Sequence, residues 1–579
     1  MKPLYIFFLV CLSMQSFGQQ TPFEKSQKQA TATYPEVIAY YKALAAAHPQ
    51  AKLITYGLTD FGEPLHLLVL SKDKTFDPAL IRKQDKRVLL INNGIHPGEP
   101  EGIDASMMLA RDLLKGNKLP ANVVICIIPL YNIDGSHNRT STSRANQNGP
   151  LAYGFRGNSR NLDLNRDFIK TDSKNSASFQ QIFNTWNPEV FVDTHTSNGS
   201  DYQYTMTLIP TQKDKLNQVL STYLTGQMVP SLYKEMAAKG YELIPYINSV
   251  EETPDGGITG FLEPARFSTG YAALHNSIGF MPETHMLKAF DKRVDATYKL
   301  LQTYIEVVSR DAKQIGLNKQ KADAQVAAQT TFPLEWKLKK DVYDSIKFKG
   351  YTAKQKASAV SGKDRLYYDR NAPYEKYIKQ WNNFEPSISV QKPVAYVIPK
   401  AWSRVVELLK LNGVKVQQLS ADSKLDLEMY YIKDYKTAPA PYEGHYIHSA
   451  VQVNPVKQSM QFYKGDYLIY VNQPQNRYIV ETLEPQGTDS FFNWNFFDSI
   501  LGQKEHYSAY VFEDTAAQLL KDDPELKKLL EQEKAKNPDL AKSAAAQLQF
   551  VYKNSAYYEK THLRYPVGRL LEPLKVSNN

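Results

Sequence analysis

Two stretches of the chain, Arg87–Asn93 and Val123–Leu130, are apolar without the alternation of a half-wet strand. Unbroken runs of this length fit strands covered on both faces, as in a parallel sheet flanked by helices. Helical patterns separate them: residues 27–48 (ended by Pro49), about 102–114, 215–239 and 288–311. Short strands are predicted around Leu53–Tyr56 and Leu65–Leu70, with further strands at Val190–Thr194 and Ser277–Pro282. The fold class is therefore α/β, a mixed, mainly parallel sheet flanked by helices. A polar Lys/Gln/Ala stretch, Gln314–Thr331, then reads as a linker. Beyond it, Val394–Ile398, Trp402–Leu411 and Val414–Leu419 read as strand, helix, strand, and Phe512–Phe550 as helical. The expected organisation is a first α/β domain over 19–315, a linker over 316–335 and a second C-terminal α/β domain over 336–579.

The first 18 residues read differently. Met1-Lys2 gives a positive start, Leu4–Met14 is mostly apolar, and Ser16-Phe17-Gly18 places small residues where a signal peptidase cuts. Residues 1–18 are expected to be a removed signal peptide, which implies an exported protein, periplasmic or secreted. Cys11 would leave with it, so the mature chain keeps Cys126 alone and has no internal disulfide. Past this segment no apolar run reaches the roughly 18 residues of a membrane span. Lys plus Arg number 69 against 60 Asp plus Glu, a mild excess without a dense basic block, which argues against nucleic acid as a partner.

Chemistry gathers where the buried strands end, the usual place for sites in open α/β sheets. His96-Pro97-Gly98-Glu99 closes one of them. An imidazole and a carboxylate across a tight turn can share one ion, or be two solvated loop residues. His195, in Phe191-Val192-Asp193-Thr194-His195, ends another; two His and a Glu are a known set for catalytic zinc. Asn165-Arg166 offers a planar fork for a carboxylate. Glu283, in Gly279-Phe280-Met281-Pro282-Glu283, is a carboxylate at a third strand end, either a general base or half of a salt bridge.

Taken in order, His96-Pro97-Gly98-Glu99, Asp163-Leu164-Asn165-Arg166, His195 and Glu283 resemble the M14 family of zinc metallocarboxypeptidases over roughly residues 24–315. The resemblance implies one Zn2+ held by His96, Glu99 and His195, with Asp163 orienting the first histidine. It implies Asn165 and Arg166 as the clamp on a substrate's terminal carboxylate and Glu283 as the base that activates water. Arg144 would polarise the scissile carbonyl, with Arg139 as a nearby alternative, and Tyr271 would cover the substrate. The activity implied is removal of the C-terminal residue from peptides or proteins. A deacylase or amidase of N-acyl amino acids or cell-wall peptides would use the same scaffold, and a non-catalytic peptide-binding protein could keep the clamp. The acidic stretch 249–266, with Glu251, Glu252, Asp255 and Glu263, would suit a basic terminal side chain.

Overall fold

The computed structural model describes residues 19–573, so the expected signal peptide lies outside the described residues. Nine strands form one sheet: β1 (Ala51–Leu58), β2 (Pro64–Leu70), β3 (Arg87–Asn92), β4 (Val123–Ile128), β5 (Val190–Asp193), β6 (His195–Ser197), β7 (Met206–Pro210), β8 (Leu243–Pro245) and β9 (Ile278–His285). Their order is β1-β2-β4-β3-β5-β9-β7-β8, with β6 paired to β9. The centre is parallel: β4 with β3, β3 with β5, and β9 with both β5 and β6. The pairs β1/β2, β2/β4 and β7/β9 are antiparallel, so the sheet is mixed and mainly parallel, as expected.

The unbroken apolar runs are β3 and β4, buried along their whole length. Each fully buried Val, Leu or Ile contributes roughly 1.5–3 kcal/mol, which makes this pair the anchor of the core. Helix α1 (Tyr34–Ala47) starts at Thr33, whose N–H donates to Glu36 at 2.8 Å, with Pro35 in its first turn. Helix α2 (Glu101–Lys115) leaves directly from the loop after β3, and α4 (Phe290–Arg310) packs on it. Helix α3 (Lys174–Trp186) lies against β1.

The Lys/Gln/Ala stretch expected to be a linker is instead helix α5 (Ala312–Ala328). Its composition favours helix, and Ile315, Ala322 and Val326 bury one stripe of it. Lys319 seals that face by donating to the carbonyls of His275 and Asn276 at 2.9 and 3.3 Å. The chain also divides later than expected. One compact unit holds the residues through Lys392 with Glu407–Lys415 and Asn472–Thr482; the other holds Pro393–Val406, Val416–Val471 and the chain from Leu483. The first unit therefore includes two antiparallel pairs, Thr331–Leu338 with Phe384–Gln391 and Asp344–Ala357 with Asp364–Trp381.

The second unit is β-rich. Its six-stranded sheet runs Gln417–Gln418, Tyr467–Tyr470, Ala395–Ile398, Gly568–Leu570, Ser423–Thr437, His448–Phe462, every pair antiparallel. The expected helical stretch is present as four helices between Ala509 and Lys553. A buried charge network lies within this unit. Arg569 pairs with Glu428 and, at 3.0 Å, with Glu484, and the Tyr396 hydroxyl donates to Glu484 at 2.5 Å.

Candidate active site

Three strand ends of the first unit converge. After β3 the backbone turns at Gly94, whose φ of +65° suits glycine, and reaches His96 and Glu99 through a tight turn closed by a Glu99 N–H to His96 C=O bond of 2.8 Å. The turn delivers the chain into α2. Gly102 lets that helix sit against the next strand end; a Cβ there would fall 2.0 Å from Thr194 Oγ1. His195 opens β6. Glu283 lies on β9 directly across from His195 in the parallel register.

His96, Glu99 and His195 are all buried, and one ligand atom from each lies within 4.8 Å of the others. Glu99 Oε1 is 3.3 Å from His96 Nδ1, and Glu99 Oε2 is 3.1 Å from His195 Nδ1. The far side of each ring is tied to an acid: His96 Nε2 to Asp163 at 2.8 Å, His195 Nε2 to Asp193 at 3.0 Å. An ionised carboxylate only accepts, so each Nε2 donates to its acid, which leaves each Nδ1 to serve a cation set between the rings and Glu99. His96 Nδ1 is buried without a hydrogen-bond partner. Two imidazole nitrogens and a carboxylate aimed at one point, one of them orphaned, fit a zinc ion.

The surrounding charges are arranged to keep Glu99 ionised. Burial works against its charge, but Arg144 and the two imidazoles hold it well below the usual carboxylate range. Arg144 donates to Glu99 at 2.7 Å, and the Thr196 N–H adds a bond of 2.8 Å. Asp163 is likewise held down against burial by His96, Arg156 and Arg166. Glu283 behaves oppositely: burial, with Glu99 adding to it, pushes its carboxyl up to about 8, against the pull of His195. A carboxyl poised in that range can both take and return a proton. The Thr196 and Thr284 hydroxyls, 2.7 Å apart, bridge β6 to β9 beside these groups, and Thr196 also donates to Glu101 at 2.6 Å.

The three ligand candidates and Glu283 line a cavity of about 470 Å³ together with Asn165 and Arg166. Asp163 caps the short turn Leu164–Arg166 by accepting the Asn165 N–H at 2.9 Å, which aims both side chains. Asn165 Oδ1 is buried without a partner, and the Arg166 guanidinium lies over the Phe267 ring at 4.1 Å.

The sequence profile of the Peptidase M14 family, zinc carboxypeptidase, matches residues 37–265. The chain carries an M14 zinc carboxypeptidase domain. That match and the relatives named carboxypeptidase support a metallocarboxypeptidase, a hydrolase. Carboxypeptidase 2 of Trichophyton rubrum is 22% identical over 430 residues, covering 69% of this chain and 72% of its own length. Carboxypeptidase 2 of Trichophyton tonsurans is 22% identical over 478 residues, 76% of this chain and 79% of its own. Among solved structures, a metallo-carboxypeptidase from Burkholderia cenocepacia is 16% identical, covers 48% of this chain and 70% of that one, and has a TM-score of 0.36. Among the described residues, no helix is long and apolar enough to cross a membrane.

Not every residue singled out from the sequence reaches the cavity of this carboxypeptidase domain. Tyr271 does not. It is fully buried among Phe168, Phe179 and Phe183. Its hydroxyl donates to Asn412 at 2.6 Å and accepts from Asn184 at 3.1 Å, so it is a core residue. The tyrosine that lines the cavity is Tyr246. Arg139 is spent on the carbonyls of Thr31, Ala32 and Ala152. Arg144 does line the cavity, but its nitrogens are engaged by Gln147, Glu99 and the Thr196 carbonyl.

Three contributors are absent from the motif reading. Asp193 precedes His195 by two positions along extended chain, which places the pair on one face. Arg156 lies ten residues before Arg166 in the same Asn-rich loop and holds Asp163 through Nε at 2.9 Å. Among the described residues, its Nη atoms make no hydrogen bond; Nη1 stands 3.5 Å from Glu99. Tyr246 follows the short strand β8 and carries no local signal.

Proposed function

We propose that the protein removes the C-terminal residue from peptides or proteins, using one zinc ion held by His96, Glu99 and His195. The observation that carries this reading is the pairing of a buried three-ligand cluster, one nitrogen of it orphaned, with Glu283, in register beside it, in a cavity that also holds Asn165 and Arg166. When bound, zinc supplies Lewis acidity and makes water a nucleophile near neutral pH.

The rest is done by side chains of this chain. Asn165 and Arg166 hold the substrate's terminal carboxylate and so fix which peptide bond is presented. Glu283 takes the proton of the attacking water and passes it to the departing amine nitrogen. The developing oxyanion needs a donor that is not already spent. Arg156, whose Nη2 makes no ion pair or hydrogen bond among the described residues and whose Nη1 meets Glu99 only at 3.5 Å, suits that role better than Arg144, which braces Glu99 at 2.7 Å. Asp163 and Asp193 keep the two imidazoles in the tautomer that binds metal. The apolar segment at residues 4–14 supports export.

The test is release of free C-terminal amino acid from blocked dipeptides by zinc-loaded protein, with the C-terminally amidated peptides as control. Release from the acids, little from the amides, and loss on chelation with return on adding zinc are expected. Equal hydrolysis of the amides, or hydrolysis of acyl-amino acids alone, would overturn the exopeptidase reading.

A further inference from the structure

Beside the site runs a chain of buried polar groups that the reaction itself does not use. Thr196 and Thr284 face each other in the pairing of β6 with β9, their hydroxyls 2.7 Å apart. Thr196 has one hydroxyl proton and gives it to Glu101 Oε2 at 2.6 Å. The proton between the two threonines therefore belongs to Thr284. Glu101 Oε1 accepts from Arg293 Nε at 2.6 Å. The remaining nitrogens of Arg293 are taken by main-chain carbonyls: Nη1 by Asn148, Met286 and Lys288 at 3.0, 3.1 and 2.8 Å, and Nη2 by Gly149 at 2.8 Å. All four side chains are buried, Arg293 completely.

The members of this chain are neighbours of the site in sequence as well as in space. Thr196 follows His195, Thr284 follows Glu283, and Glu101 comes two residues after Glu99. Asn148 and Gly149 close the loop that brings Arg144 to the cavity wall. A buried ion pair adds little net stability over apolar residues of the same volume, because desolvation offsets the attraction. What hydrogen bonds add is a fixed distance and angle, which packing alone leaves looser. The Arg569 network of the second unit is closed in the same way, but it adjoins no ligand or base along the chain.

We propose that Thr284 is a positioning residue for Glu283, and that Thr196, Glu101 and Arg293 form the frame it is tied to. The frame sets the base at its working distance from His96, Glu99 and His195. The inference rests on the carboxypeptidase reading above. Proton transfer needs the carboxylate within hydrogen-bond reach of the attacking water, and a misplacement of about 1 Å costs about a hundredfold.

The experiment measures kcat and KM of the full, zinc-loaded protein on a blocked dipeptide for Thr284→Val and Thr284→Ser. Valine keeps the branched shape that suits a strand and removes only the hydroxyl; serine keeps the hydroxyl. Thr284→Val leaves Thr196 still donating to Glu101, so no buried donor is stranded. It is expected to lose about tenfold or more in kcat, with KM, bound zinc and melting temperature near those of the wild type. Thr284→Ser is expected to recover most of that loss. If Thr284→Val does not fold, Thr284→Ala, which also lacks the hydroxyl, reads the same change. Unchanged kcat without the hydroxyl, equal loss in the valine and serine variants, or failure of both the valine and alanine variants to fold would overturn the positioning role and leave the carboxypeptidase reading standing. Release of no terminal residue by the wild type would overturn both.

Discussion

The two units of the chain bury acids in opposite ways. In the second, Glu484 is fully buried, yet it meets Arg569 at 3.0 Å and the Tyr396 hydroxyl at 2.5 Å, while Arg569 is shared with Glu428. In the first, Glu263, Asn165 Oδ1 and His96 Nδ1 are buried without hydrogen bonds around one cavity. A closed network of opposite charges serves the fold, because each member compensates another. A set of unsatisfied groups facing a common space weakens the fold and gains its return only when something enters. The contrast teaches where to look for chemistry: in the polar groups the fold leaves unanswered.

This contrast can be broken by mutation. Glu283→Gln should lower kcat/KM by about a thousandfold, while zinc content and melting temperature stay near those of the wild type. Metal analysis beside steady-state kinetics checks this, and an active variant removes Glu283 from the role of base. Glu484→Ala should do the reverse. It leaves Arg569 short of a buried partner and should cost about 3–5 kcal/mol in urea unfolding, with little change in turnover per folded molecule. A neutral result would show that the network is not what holds the second unit together. The arginines sharpen the comparison within the site. Arg156→Ala should reduce kcat by about a hundredfold with zinc affinity preserved. Arg144→Ala should weaken zinc binding about tenfold through loss of its bond to Glu99, a smaller effect read by competition with a chelating dye. If the two variants exchange these phenotypes, the oxyanion role returns to Arg144.

Much of the fold was legible because it is written locally. Unbroken apolar runs marked β3 and β4, and the residues that close β3, open β6 and lie on β9 carried the candidate ligands and base. What was not legible depends on distant partners. The family resemblance puts Tyr271 over the substrate, but its hydroxyl is satisfied by Asn412, 141 residues away. Arg144 and Arg156 look alike in sequence; only the fold decides which is spent on Glu99 and the Thr196 carbonyl. The stretch before Thr331 was polar enough to pass for a linker because its buried stripe consists of Ala and a few larger residues at helical spacing. The paired strands between 344 and 381 lack apolar runs, since most of their side chains are half-buried or exposed, Tyr and Lys among them, so no strand signature rose above the background.

The register of β9 against β6, which sets Glu283 opposite His195, has one more consequence. Sliding β9 by a single residue would preserve most backbone pairing and bury nearly as much oil, yet it would turn the acid to the opposite face of the sheet. A misthreaded copy could therefore pass as folded by its bulk properties and still be inert. Competence here is a matter of counting residues correctly along one edge, and turnover is the assay that detects a miscount.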